Sequence, residues 1–271
     1  MLVRMIAAVV QMTSASDLER NLARAAEWIA AAARRGAELV ALPEMFPLMR
    51  EEGGDSANPH AQDVPNGRVP RFLAEQAAEH RIVLAGGTFA ERIPGDTRVF
   101  NTSTVFGPTG ELLALYRKIH LFDIDLPGTT LRESSRVAPG SELAIAKLPA
   151  CTLGLSVCYD VRFPELYRQL AERGAQVLLV PSAFTVPTGR DHWEVLLRAR
   201  AIENQCFVVA SAQWGAHNAT RTSFGHSLIA DPWGTVLSTV PDGEGIALAE
   251  LDFARQDEIR RRLPALRHRR L

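Results

Sequence analysis

In the run Gly154-Leu155-Ser156-Val157-Cys158-Tyr159-Asp160-Val161-Arg162-Phe163-Pro164-Glu165, an apolar stretch carries a cysteine into a polar turn. A thiol placed there can attack an electrophile once a neighbour removes its proton and a cation or dipole holds the charge that develops. Two upstream segments end in groups suited to those tasks. Val40-Ala41-Leu42-Pro43-Glu44 closes a short apolar run with a carboxylate, and Tyr116-Arg117-Lys118-Ile119-His120 closes another with an ammonium. Taken singly, Cys158 reads as a small buried hydrophobe, Glu44 as the solvated end of a strand and Lys118 as a surface charge. Base, cation and nucleophile at three strand ends suit a sheet edge that opens onto a pocket.

With its surroundings this set resembles the carbon-nitrogen hydrolase (nitrilase) superfamily. The resemblance covers nearly the whole chain. It runs through Leu42-Pro43-Glu44-Met45-Phe46, Tyr116 to Phe122, Cys158 to Glu165, His192-Trp193-Glu194 and Arg200 to Gln205. Phe224-Gly225-His226-Ser227, the Asp231 to Val236 turn and the arginine-rich end with Leu263-Pro264 are most similar to the deaminated glutathione amidase group, with the omega-amidase group next. The resemblance implies a cysteine-dependent amidase acting on a small carboxylic-acid amide, with no cofactor and no metal. Glu44 would take the Cys158 proton and return it to the departing nitrogen, so that ammonia leaves. Lys118 and the backbone N–H following Cys158 would hold the oxyanion. Water activated by Glu44 would then hydrolyse the thioester. Glu133 matches the family's second glutamate, with Glu142 as the fallback. Arg162 would pair with a substrate carboxylate, its alternative being a structural ion pair with Asp160 or Glu165. Tyr159, Phe184 and Thr188 would line the same pocket.

Composition limits the other possibilities. The chain has 271 residues, 46% of them hydrophobic, enough for one large core. Thirty basic against thirty-one acidic side chains leave a formal charge of −1, which gives no general reason to bind nucleic acid or an anionic membrane. Three cysteines, Cys151, Cys158 and Cys206, have neither disulfide-framework nor zinc-site spacing, and a reducing, cytoplasmic setting is expected. No apolar run approaches the ~20 residues of a membrane span. The opening Met1 to Val10 reads as a strand, interrupted by Arg4 and rich in β-branched residues, instead of an export signal.

Strand-like and helical runs alternate, which predicts an α/β protein. A helix is expected over Asp17 to Arg35, capped by Ser14 or Ser16 and stopped at Gly36, before a strand over Glu38 to Leu42. Further helices are expected over Phe72 to His80, Pro164 to Arg173 and Arg190 to Asn204. Strands are expected over Ile82 to Thr88, Val177 to Val180 and Phe207 to Ala210, and a hairpin turns at Gly107-Pro108-Thr109-Gly110. The family resemblance implies a four-layer αββα sandwich with mixed sheets, a single domain over 1–271, a homodimer paired through helices, and a C-terminal arm over 253–271 at the subunit interface. His120, Asp123 and Asp125 offer a metal-dependent hydrolase as the rival reading, and His192 or His226 a Cys–His dyad, but no metal-ligand spacing supports the first. His226 reads as a hydrogen-bonded core histidine on a strand. A non-catalytic binding protein on the same fold is the third reading. No GxGxxG or GxxxxGK[ST] fingerprint supports nucleotide chemistry.

Overall fold

Alternation along the first strand sends its side chains to two different cores. In β1 (Arg4–Gln11), Ala7 and Val9 enter one apolar cluster, while Ala8 and Val10 enter another. A strand apolar on both faces belongs inside a layered molecule. The structure, a computed structural model, describes residues 4–50, 58–126 and 129–270. Residues 1–3 of the expected first strand and Leu271 of the expected arm lie outside the described residues.

The first sheet starts with the parallel trio β1, β2 (Leu39–Ala41) and β3 (Val83–Ala85). It continues antiparallel through β4 (Phe89–Arg92), β5 (Val99–Phe106) and β6 (Leu112–Arg117), where β5 pairs with β3, β4 and β6. A separate hairpin, β7 (Asp123–Leu126) with β8 (Thr129–Arg132), follows. The second sheet repeats the scheme. Strand β9 (Ile145–Lys147) lies antiparallel to β10 (Thr152–Leu155), which heads a parallel trio with β11 (Val177–Leu179) and β12 (Phe207–Ala210). After the small hairpin β13 (Trp214–Ala216) and β14 (Thr222–Phe224), strands β15 (Leu228–Ala230) and β16 (Val236–Thr239) extend that sheet. Strand β17 (Gly245–Asp252) then returns to pair antiparallel with all of β1.

Helices α1 (Leu18–Arg34) and α2 (Arg68–His80) cover the outer face of the first sheet, where Leu22, Ile29, Phe72 and Leu73 meet Ala8, Val10, Val40 and Leu84. Helices α3 (Pro164–Glu172) and α4 (Val186–Asn204) bring Leu166, Leu170, Trp193 and Leu197 to the core of the second sheet. The inner faces of the two sheets share that core, Val9, Ala41 and Val105 packing with Leu155, Leu179 and Val209. The architecture is therefore the expected four-layer αββα sandwich with mixed sheets.

Local signals explain where the boundaries fall. Asp17, not Ser14 or Ser16, caps α1: its carboxylate accepts from Arg20 N at 3.1 Å, worth about 1 kcal/mol. Ser14 is buried and instead donates to Phe46 O at 2.7 Å. Gly36 ends the segment at φ +86°, where a side chain would be strained. Both α2 and α4 begin four residues before their expected starts, because Pro70 and Pro187 fall in first turns, where a missing N–H costs nothing. His226 departs from expectation. It lies between β14 and β15 with φ +58°, half-exposed, its Nε2 3.1 Å from the exposed Asp242. The last helix, α5 (Phe253–Arg262), is tied to its own chain. Phe253, Gln256 and Ile259 are buried, and Arg260 donates to Gln205 O at 3.0 Å and Ala175 O at 3.1 Å. Among the described residues no helix is long and apolar enough to cross a membrane.

Candidate active site

Three of the segments singled out in the sequence end at one edge of the sandwich. Glu44 lies three residues beyond β2, in a turn packed so closely on Gly87 that a Cβ at 87 would overlap Pro43 O. Lys118 is the residue after β6, and its N–H donates to Asn101 O on β5 at 2.9 Å. Cys158 opens a 3-10 turn (Cys158–Arg162) three residues after β10. The fourth group, Glu133, opens the 3-10 turn Glu133–Ser135 that follows β8.

These groups form one buried cluster. Lys118 Nζ lies 3.1 Å from Glu44 Oε1 and 2.9 Å from Glu133 Oε2, with only 2% of its side chain exposed. Glu44 Oε2 accepts from Ala183 N at 2.8 Å, and Glu133 Oε2 from Phe122 N at 2.6 Å. The Cys158 thiol stands beside them, within reach of the charges of Glu44 and Lys118. Two carboxylates and one ammonium can coexist out of water because each carboxylate is also fixed by backbone and amide donors.

Electrostatics sets the resting protonation. Burial, then the charge of Glu44, pushes the Cys158 thiol well above its ordinary range, against the opposing pull of Lys118 and the Ala183 N–H. The sulfur therefore keeps its proton at neutral pH until a base takes it. Burial alone would neutralise Lys118, but the charges of Glu133 and Glu44 outweigh it and hold the ammonium well above its usual range. The site thus holds an uncharged thiol beside a fixed cation.

The backbone at Cys158 is held in a left-handed conformation, φ +48°, which costs a non-glycine residue about 1 kcal/mol or more. Asp160 is the clamp. Fully buried, it accepts from Val157 N at 2.8 Å and Tyr116 Oη at 2.8 Å through Oδ2, and from His120 N at 3.1 Å through Oδ1. His120 Nδ1 lies 2.8 Å from the same Oδ1, and its ring stacks on Phe163 at 3.7 Å. Cys158 N donates to Pro181 O at 2.9 Å.

The expected pocket residues gather beside the sulfur. Tyr159, Phe184 and Thr188 line a small recess with Phe122, Cys158, Ala183 and Thr185. Arg162 stands against those rings, its guanidinium 5.8 Å from the Tyr159 centroid and 5.6 Å from that of Phe184, with Nη1 3.3 Å from His192 Nδ1. It makes none of the ion pairs found among the described residues, so the alternative pairing with Asp160 or Glu165 does not form. Glu142, the fallback for the second glutamate, is exposed and acts on Arg117 instead of Lys118. A wider cleft runs outward from Glu44, Lys118, Glu133 and Cys158.

The remaining candidates are used elsewhere. Asp123 takes Ser134 N at 3.0 Å and Asp125 takes Thr130 Oγ1 at 2.8 Å. Among the described residues no three His, Cys, Asp or Glu side chains are grouped to hold a metal ion. Cys151 and Cys206 are buried away from any base, burial pushing their thiols up to about 12 and about 11. Sequence reading missed Asn101, whose Nδ2 donates to Glu44 Oε1 at 2.9 Å and reaches Glu133 Oε1 at 3.4 Å. The signal lay in Asn101-Thr102-Ser103-Thr104, four consecutive polar residues that are all buried within one strand. It also missed the Asp160 clamp.

Comparison with known proteins places this arrangement. The carbon-nitrogen hydrolase family profile matches residues 6–261. The deaminated glutathione amidase of Synechocystis sp. is 43% identical over 273 residues, covering 97% of each chain. The human omega-amidase NIT2 is 40% identical over 97% of this chain and 94% of its own. Among solved structures, the C. elegans NitFhit protein superposes with a TM-score of 0.90 at 41% identity, covering 98% of this chain, which spans 65% of that longer one.

Proposed function

The chain belongs to the carbon-nitrogen hydrolase family, and from that premise we propose that it is a cysteine-dependent amidase of small carboxylic-acid amides, with deaminated glutathione as its preferred substrate. Omega-amides such as 2-oxoglutaramate are the second reading, favoured by the likeness to human omega-amidase NIT2. The observation that carries the proposal is the Lys118 ammonium, held between Glu44 at 3.1 Å and Glu133 at 2.9 Å beside the Cys158 thiol.

Glu44 takes the thiol proton as Sγ attacks the amide carbon, so the thiolate exists only while it is forming a bond. Lys118 and the N–H following Cys158 receive the negative oxygen, and being fixed beforehand they need no reorganisation. As the C–N bond breaks, the proton passes from Glu44 to the nitrogen, which leaves as a neutral amine and not as an amide anion. An omega-amide releases ammonia, whereas deaminated glutathione releases the dipeptide amine that its amide nitrogen carries. Water then gives its proton to Glu44 and its oxygen to the thioester carbon, restoring the thiol. Glu133 and Asn101 hold Lys118 and Glu44 in place throughout. The recess of Phe122, Tyr159, Phe184 and Thr188 receives the acyl chain, and Arg162 approaches its carboxylate.

A homodimer is part of the proposal, supported by an exposed apolar face along α4, with the 253–271 arm contributing beside it through Leu263. The three thiols are free and buried, which supports a reducing, cytoplasmic setting. The deciding experiment measures acid, amine and ammonia release over deaminated glutathione, 2-oxoglutaramate, glutamine, nitriles and N-carbamoyl amino acids. Highest kcat/KM on deaminated glutathione is expected. Turnover of nitriles alone would remove the amidase assignment.

A further inference from the structure

Among the described residues, two guanidinium groups lining the outer cleft stand without a carboxylate partner. Arg136 and Arg221 line the same cleft as Cys158, Lys118 and Glu133. Both are half-buried, and neither belongs to any ion pair among the described residues. Arg132, which lines the same cleft, leans on Asp125 at 3.9 Å. The side-chain contact of Arg221 is the thioether of Met45, 3.6 Å from its Nη2, and a thioether is a weak acceptor. Arg136 is fixed through its backbone, its N–H donating to Glu133 O at 3.0 Å and its carbonyl accepting from Val99 N at 3.1 Å.

Their placement is systematic. Met45 follows Glu44, and Arg136 follows the 3-10 turn that Glu133 opens, so each arginine stands just outside one of the two carboxylates that flank Lys118. Among the described residues, the acids lining the cleft are Glu44 and Glu133, both engaged by Lys118. Among the described residues the outer cleft therefore carries more guanidinium than carboxylate. Partly desolvated guanidinium groups with unused donors favour an anion that can accept several of them.

We propose that Arg136 and Arg221 form a second anion subsite, which takes a carboxylate on the amine side of the scissile bond, so that the preferred substrate is anionic at both ends. Arg162 serves the acyl end, and this pair serves the leaving group. The inference deepens the amidase reading and rests on it. A leaving amine two residues long spans at most about 7 Å of extended chain, so its terminal carboxylate would have to be met within that reach of the scissile bond.

The test compares deaminated glutathione with the same compound bearing a terminal carboxamide. In the unaltered protein, kcat/KM should favour the free acid by about tenfold or more, chiefly through KM, and the preference should shrink as salt rises. In Arg136→Gln and Arg221→Gln the ratio should fall toward one, with Arg→Lys at each position restoring part of it. A ratio near one in the unaltered protein, or one unchanged in both glutamine variants, overturns the subsite. A second measurement separates this inference from the function beneath it: calorimetric binding of glutaryl-glycylglycine and its terminal amide to Cys158→Ala. Arginine-dependent preference for the acid without turnover of either substrate would sink the amidase reading and leave the subsite standing. Turnover without charge preference would do the reverse.

Discussion

Cys158, Glu44 and Lys118 are each ordinary alone and unusual together. The thiol at rest is protonated and nearly out of solvent, so in the proposed mechanism its reactivity depends on Glu44, and the oxyanion on an ammonium that two carboxylates keep charged. Cys158→Ala and Glu44→Gln should each lower kcat/KM by about 10³-fold or more while the protein stays folded. Lys118→Arg should fail comparably, because a planar guanidinium does not fit where a compact ammonium sits with 2% of its surface exposed. Cys206→Ser should keep its activity. Intact-mass detection of an acyl adduct, present in the unaltered protein and absent from Cys158→Ala, reads the mechanism directly. Near-normal turnover in any of the first three variants would dismantle it. At this scale the proximity of the groups was legible, since the thiol, the carboxylate and the ammonium that the structure brings together each sat at the end of a recognisable apolar run. Asn101 and Asp160 were not, because their importance lies in partners 57 and 44 positions away.

Helix α4 has apolar side chains on more than the face that packs inward. Trp193, Leu197 and Ala201 are buried, yet Val195 and Ile202 remain 66% and 50% exposed. Trp233, 56% exposed, lies in the turn where Arg198 Nε donates to Gly234 O at 2.8 Å. A solvated helix keeps one apolar stripe, and a second stripe continued by a neighbouring tryptophan supports the proposed dimer surface. Sedimentation velocity should find a dimer, and Val195→Glu combined with Ile202→Glu should shift it to monomer with melting temperature changed by only a few degrees. A dimer indifferent to both charges would locate the interface elsewhere. Helix and strand identities along the chain followed from periodicity. Boundaries slipped where proline occupied a first turn, in α2 and α4, and where a serine beside the true cap was drawn into the core, as Ser14 was.

Over the whole molecule, the buried thiols and phenols make stability sensitive to alkali. Burial raises Cys151 to about 12 and Cys206 to about 11, and raises Cys158, Tyr116 and Tyr167 beyond their ordinary ranges. Unfolded thiols ionise near pH ~8.5 and unfolded phenols near ~10. Above those values the unfolded chain holds fewer protons than the folded one, so stability falls as pH rises. Each thiol contributes a slope of up to about 1.4 kcal/mol per pH unit. Thermal melts should be nearly level from pH 7 to about 8 and fall by pH 10, and constancy between about pH 8.5 and 10 would contradict the assignment. His217 acts at the other end. Burial lowers it while Ser14 O and Ser223 Oγ hold it at 2.8 Å each, so stability also declines as pH falls below about 6.5. The amino-acid order alone determined most of the helices and the main strands, and which three side chains follow apolar runs, because local periodicity and chain reversal are written in neighbouring residues. Only the packed sandwich decided that those termini share one edge, that Glu133 and not Glu142 completes the set, and that Arg136 and Arg221 face the same cleft. Distances between segments a hundred residues apart depend on how two sheets stack, and that is settled by the burial of their common core.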